Sequence, residues 1–175
     1  MCGENKLLKK IGGIPLIKHT VKNILASQID ILIIVLGYQK EIVKQVINKN
    51  EKIKFVINKN FSSGMASSIK TGLYYLPKKT ESFFICLGDM PMVDKNIFDL
   101  LIKSRNNNEI IVPNYKNQQG NPILFSKIMK SKIMNIEGDV GAKKILELNK
   151  DKILNIETND QSITKNFNTL DDFNS

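Results

Sequence analysis

The stretch Ser82–Val93, SFFICLGDMPMV, constrains this chain more than any other. An apolar run stops at Gly88-Asp89, and Pro91 follows two places later. Such a run, without polar alternation, is the pattern of a strand covered on both faces, as in parallel sheets. The carboxylate of Asp89 then stands at the strand's carboxyl end, the edge where open α/β sheets bind ligands. With Gly88 beside it to admit a close approach, that carboxylate suits a hard cation such as Mg²⁺ shared with phosphate oxygens. Gly and Asp are also ordinary turn formers, so an aspartate that merely opens the next turn is an equal reading at this point.

The rest of the chain alternates in a way that fits the first option. Ile31–Leu36, Ile53–Ile57, Phe83–Leu87, Ile110–Val112, Ile123–Phe125 and Ile153–Ile156 read as strands. Between them, Glu41–Ile47, Ala66–Leu76, Asn96–Ile102 and Val140–Leu148 place apolar residues at helical spacing. This βαβα order predicts a mostly parallel sheet flanked by helices. The 175 residues suffice for one domain with a real core. No linker, internal repeat or low-complexity block interrupts them.

Charge and cysteine usage set the surroundings. The net charge of +9 comes from 26 basic residues, of which Arg105 is the only arginine. Excess Lys, Ile and Asn together is the signature of an AT-rich genome. Base reading and bidentate phosphate contacts favour arginine, and no basic stretch is interleaved with aromatics. Nucleic acid is therefore not an expected partner, although a positive field gathers polyphosphate substrates. No apolar run spans a bilayer, and the first residues lack the apolar core of a signal peptide, so no membrane partner is expected. Cys2 and Cys86 are too few for a disulfide framework, which fits a reducing cytoplasm.

Three loops fall at strand ends. Asn58–Ser68, NKNFSSGMASS, opens a helix. Its Gly64 and small hydroxyl residues suit a ribose or phosphate near a helix N-terminus, and equally a plain capped helix start. Gly120-Asn121-Pro122 follows a polar stretch and reads on its own as a hairpin turn. Gly138-Asp139-Val140 opens the last helix, where Asp139 reads first as its N-cap.

Taken in order, these words resemble one family, the MobA-like nucleotidyltransferases, and within it the molybdenum cofactor cytidylyltransferases. The matching words begin with Gly3-Glu4-Asn5-Lys6-Leu7-Leu8, Gly13-Ile14-Pro15-Leu16 and Val35-Leu36-Gly37. They continue with Asn60–Ile69, Leu87-Gly88-Asp89-Met90-Pro91, Pro113-Asn114-Tyr115 and Gly120–Phe125. Gly138-Asp139-Val140-Gly141-Ala142 and Asn166–Asp172 complete the set, which covers nearly the whole chain. The resemblance implies a Rossmann-like, glycosyltransferase-A type α/β fold of one domain over residues 1–175. It implies attack by the terminal phosphate of a molybdopterin-type cofactor on the α-phosphorus of CTP, or of GTP in the guanylyl branch, with release of pyrophosphate. By the same resemblance, Lys6 and Asp89 are catalytic. Gly3, Lys6, Gly64, Met65, Ser67, Ser68, Gly88 and Asp89 bind the nucleotide. Asp89 and Asn168 hold Mg²⁺. Gly120, Asn121, Pro122 and Asp139 face the acceptor. A molybdenum hydroxylase is the implied client of the product.

The chain also departs from the family's pattern. Family members carry a strand and a Gly-rich loop before the Lys-Leu-Leu word, whereas Met1-Cys2-Gly3 falls inside that motif. The resemblance thus implies an N-terminally incomplete domain, with a strand and loop encoded upstream. Asn121 replaces the family's histidine, and Lys143 replaces an arginine, a point charge in place of a bidentate fork. Two other readings stand beside the first: a nucleotidyltransferase making a CDP- or GDP-linked sugar or polyol, and a degenerate binding protein.

Overall fold

A computed structural model of the chain describes residues 5–135 and 142–167. A short 3-10 turn, Lys6–Leu8, leads into an antiparallel ribbon of β1 (Lys10–Ile11) and β2 (Ile14–Pro15). Gly12 and Gly13 join them with φ of 56° and 80°. A two-residue hairpin needs positive φ at both positions, which glycine adopts without strain.

Helix α1 (Leu16–Leu25) follows directly. Its periodicity was not among the expected elements, yet Leu16, Ile17, Thr20, Val21 and Ile24 form one buried stripe. Next come β3 (Leu32–Leu36), α2 (Lys40–Val46) and β4 (Ile53–Ile57), then α3 (Met65–Tyr74) and β5 (Ser82–Ile85). Helix α4 (Lys95–Lys103) is capped by Asp94, whose side chain accepts from the Asn96 amide at 2.8 Å. The remainder is β6 (Ile110–Tyr115), β7 (Gln118–Gln119), β8 (Ile123–Ser126), α5 (Met129–Met134), α6 (Ala142–Leu148) and β9 (Ile153–Glu157). All six expected strands and all four expected helices are present, with shifted ends. Helix α5 and the short strands β1, β2 and β7 also lie beyond the expected set.

The strands form two main sheets. One holds β3 and β4 in parallel, Leu32 opposite Ile53 and Leu36 opposite Ile57. The other has five strands, in which β8 runs antiparallel to both β5 and β6, and β9 pairs parallel to β6. Strands β5, β6 and β9 thus share one direction, and β8 alone among the long strands of that sheet opposes them. This is the α/β architecture that the alternation predicts, of the Rossmann-like kind that the resemblance implies, with its strands divided between two sheets.

Side-chain alternation explains how the five-stranded sheet is covered on both faces. Ile110, Val112, Ile123 and Phe125 point to one side, against Leu73 of α3, Met129 and Ile133 of α5, and Ile145 of α6. Ile111 and Leu124 point to the other, against Ile24 of α1 and Ile97, Phe98 and Leu101 of α4. The smaller sheet packs Leu36 against Ile17 and Val21 of α1 and Val43 of α2.

Helices tie the two sheets together. Helix α1 belongs to the cores of both, and Leu32 of β3 packs against both as well. On α3, Leu73 serves the five-stranded sheet while Gly72 lets Val35 of β3 approach to within 3.2 Å of where a Cβ would lie. Among the described residues, however, β3 has β4 as its sole strand partner and β5 has β8 as its sole partner.

Candidate functional site

The apolar run through Leu87 leaves the sheet after Ile85, so Cys86–Asp89 is a loop at the strand's carboxyl end. Helix α1 fixes that loop from beneath. Thr20 Oγ1 donates to the Gly88 carbonyl at 3.0 Å, and Asn23 Nδ2 donates to the carbonyls of Pro91 and Val93 at 2.9 and 3.1 Å. A Cβ on Gly88 would stand 3.2 Å from Ile17 Cδ1, so glycine there serves close packing on α1. The Asp89 carbonyl accepts from the Phe167 amide at 3.0 Å, which brings the C-terminal stretch to the same place.

The Asp89 carboxylate is mostly buried and already holds a cation. Lys6 Nζ lies 2.5 Å from Asp89 Oδ2, with side-chain exposures of 43% for Lys6 and 13% for Asp89. Residues 83 positions apart in sequence are thereby joined. Among the described residues, no three His, Cys, Asp or Glu side chains converge to hold a metal by themselves. The donor set therefore fits a hard cation that takes its remaining ligands from phosphate oxygens and water.

A second group gathers around Asn58, at the end of β4. This buried side chain donates to Ser67 Oγ at 2.7 Å and Ser68 Oγ at 3.0 Å, and its Oδ1 accepts from the Asn60 amide at 2.9 Å. Ser67 Oγ also donates to the Gly64 carbonyl at 2.8 Å. Gly64, with φ of 101° and ψ of 177°, makes the sharp entry into α3 that other residues strain to adopt. Met65 follows it and is exposed. Phe61 closes the loop against Gly37, where a Cβ would meet Phe61 Cβ at 2.6 Å. Asn58 is the organising residue that the sequence words missed. Its signal was a polar side chain directly after an apolar strand, nine and ten places before two serines.

The third group lines an open cleft of about 780 Å³ that includes Met92, Gln118, Gln119, Gly120, Asn121, Ser162, Lys165 and Phe167. The Gly120 amide donates to the Pro113 carbonyl and the Asn121 amide to the Ile163 carbonyl, each at 2.8 Å. A Cβ on Gly120 would come within 2.5 Å of the Ile163 oxygen, so this glycine is demanded by packing rather than by a turn. Pro122 is buried and faces Cys86 across a void of about 10 Å³. Burial pushes the Cys86 thiol up to about 12, far from a reactive thiolate. Gly3, Asp139 and Asn168, which the sequence words also single out, lie outside the described residues.

The groups divide between the sheets. Gly64, Met65, Ser67 and Ser68 stand with β3 and β4. Gly88 and Asp89 stand with β5, and Phe167 joins them to the cleft holding Gly120 and Asn121.

The whole fold resembles that of a nucleotidyl transferase from Methanothermobacter thermautotrophicus (TM-score 0.78, 17% identity, 96% of this chain and 81% of that one). It also resembles Rv0371C from Mycobacterium tuberculosis in complex with manganese (TM-score 0.83, 20% identity, 98% and 91%). Residues 1–154 match the MobA-like NTP transferase domain, and the chain belongs to that family. A probable molybdenum cofactor guanylyltransferase from Methanosarcina mazei is 30% identical over 99 residues, covering 54% of this chain and 43% of that protein. The chain spans 43% to 59% of the lengths of three such guanylyltransferases.

Proposed function

We propose that the chain transfers a nucleotidyl group from a nucleoside triphosphate to the terminal phosphate of a molybdopterin-type cofactor. The observation that supports this most is the Lys6–Asp89 pair at the carboxyl end of β5, beside a large cleft of mixed polar and apolar lining. An acceptor phosphate oxygen forms a bond to the α-phosphorus, the bond from that phosphorus to the β-phosphate oxygen breaks, and pyrophosphate leaves. Such transfer needs positioning and charge neutralisation rather than covalent chemistry by the protein. Lys6 supplies a positive charge for the triphosphate. The Gly64–Ser68 loop, held rigid by Asn58, supplies backbone amides and hydroxyls to the nucleotide. Gln118, Asn121 and Lys165 offer amides and one cation to the acceptor, with Gly120 and Pro122 shaping the wall.

Mg²⁺ is the proposed cation, with Asp89 and Asn168 as its protein ligands. When bound it neutralises charge at the reacting phosphates. The Ser62–Ser68 word favours CTP, whereas the archaeal relatives are named for guanylyl transfer. The product's client is then a molybdenum hydroxylase in the cytidylyl case.

Pyrophosphate release measured with each of the four nucleoside triphosphates, with and without molybdopterin, tests both halves of the reading. Release that requires CTP and molybdopterin is the expected result. A GTP preference moves the chain to the guanylyl branch. Asp89→Ala is expected to lower turnover by about 10²–10³ with an unchanged circular dichroism spectrum. Near-wild-type turnover in that variant would remove Asp89 from the mechanism.

A further inference from the structure

Two adjacent serines open α3, and Asn58 gives them different work. The main chain of Asn58 is fixed, because its amide donates to the Leu36 carbonyl of β3 at 2.8 Å. Its buried side chain is fixed as well. The Asn60 amide can only donate, so the atom it meets at 2.9 Å is the acceptor Oδ1. Nδ2 therefore faces the serines, and its protons go one to Ser67 Oγ at 2.7 Å and one to Ser68 Oγ at 3.0 Å.

The two hydroxyls then keep different capacities. Ser67 Oγ has a single proton and two protein carbonyls to receive it, Gly64 at 2.8 Å and Asn60 at 2.9 Å. That proton is committed to the loop, as in a plain capped helix start. Ser68 Oγ accepts from Asn58 in the same way, yet among the described residues its own proton meets no acceptor. Ser68 is half-buried rather than sealed in the core. A hydroxyl that accepts on one side points its proton elsewhere. We propose that Asn58 is a positioning residue that makes Ser68 Oγ a hydrogen-bond donor to an acceptor oxygen of the nucleotide, while the Ser67 proton serves the loop alone. The inference rests on the reading of this loop as the nucleotide's.

A double-mutant cycle tests it, read by calorimetric titration of the full chain with the magnesium complexes of CTP and GTP. Asn58→Asp keeps the shape of the side chain but replaces its donors by acceptors, so both serines must turn their protons inward. Ser68→Ala should weaken nucleotide binding about tenfold in the natural chain and less than about twofold in the Asn58→Asp background. The added carboxylate repels the triphosphate in both arms of that comparison and cancels. An equal loss in both backgrounds means that Asn58 does not set the donor, and no loss in either means that Ser68 donates nothing. Each result overturns the inference. Should Asn58→Asp not fold, the two serines are compared directly. Ser67→Ala breaks the ties to Asn58, Asn60 and Gly64 and should lower Tm more, whereas Ser68→Ala should lower nucleotide affinity more. The reverse order in affinity also overturns the inference. A wild-type chain that binds neither CTP nor GTP overturns instead the reading of the loop as a nucleotide site.

Discussion

The two sheets of this protein are built to different standards. In the five-stranded sheet, Ile110, Val112 and Phe125 are fully buried, and β6 has β8 and β7 on one side and β9 on the other. In the two-stranded sheet, β3 is just as apolar, yet Leu32, Ile33, Ile34 and Val35 are only half-buried. Side chains that a parallel strand covers on both faces are here left partly uncovered, and among the described residues β3 is paired along one edge. The candidate site draws on both sheets. Its nucleotide loop rests on the weaker one, and its carboxylate and acceptor cleft on the stronger. What aligns them is α1, α3 and the turn carrying Lys6, rather than a continuous ladder of strand hydrogen bonds. The candidate site therefore straddles a seam.

The largest effect should appear along that seam. Among the described residues, β3 and β5 each pair with one strand, whereas β6 is paired along both edges. Backbone groups without strand partners exchange more freely. Amides of β3 and β5 should therefore exchange faster than those of β6 when hydrogen exchange is followed residue by residue. Exchange in β3 as slow as in β6 would show that the two sheets are equally protected.

Paired truncations measure the same contrast within the chain. Phe125 is fully buried and stacks on Phe83 with ring centroids 5.7 Å apart. Phe125→Ala should cost about 3–5 kcal/mol in chemical denaturation. Ile34 sits half-buried in the middle of β3, and Ile34→Ala should cost about 1–2 kcal/mol. Equal losses at the two positions would mean that β3 is as well packed as the larger sheet and that the seam is not a weak point.

The same contrast separates what the sequence made legible from what it did not. Long apolar runs such as Ile31–Leu36 and Phe83–Leu87 announced their strands, since local pattern carries that information. Their pairing did not follow: nothing within Ile123–Phe125 tells that this short strand opposes its neighbours β5 and β6. Helix α1 was readable and unread. Its stripe from Leu16 to Ile24 follows a proline that opens the helix. At the site, Asp89 and Lys6 were marked by family words, and the structure joins them. The Asn58 hub and the grip of Asn23 on the Pro91–Val93 loop are tertiary, made between residues 9 to 70 positions apart, and no local pattern signals them.

The smallest effect concerns an ion pair on the stronger sheet. Lys127 Nζ lies 2.9 Å from Glu81 Oε1, both side chains more than half exposed, where the chain enters β5 and leaves β8. The hydrogen bond from Lys127, and then its charge, hold the Glu81 carboxyl below its ordinary value of 4.5. A carboxyl depressed in the folded state adds stability above its unfolded value and loses it as pH falls through the folded one. Any contribution of this pair is therefore present at neutral pH and disappears only in acid, below the ordinary value. Solvent screens an exposed pair so strongly that little stability is at stake. The backbone bond from the Lys127 amide to the Glu81 carbonyl, also 2.9 Å, holds the same two strands whatever the side chains do. Lys127→Ala should thus move the Glu81 titration, followed by NMR of its carboxyl carbon, back toward the ordinary value while leaving Tm at pH 7 unchanged. A clear fall in Tm would show that even the completed sheet relies on its surface charges at this margin, and the contrast with β3 would lose its sharpest end.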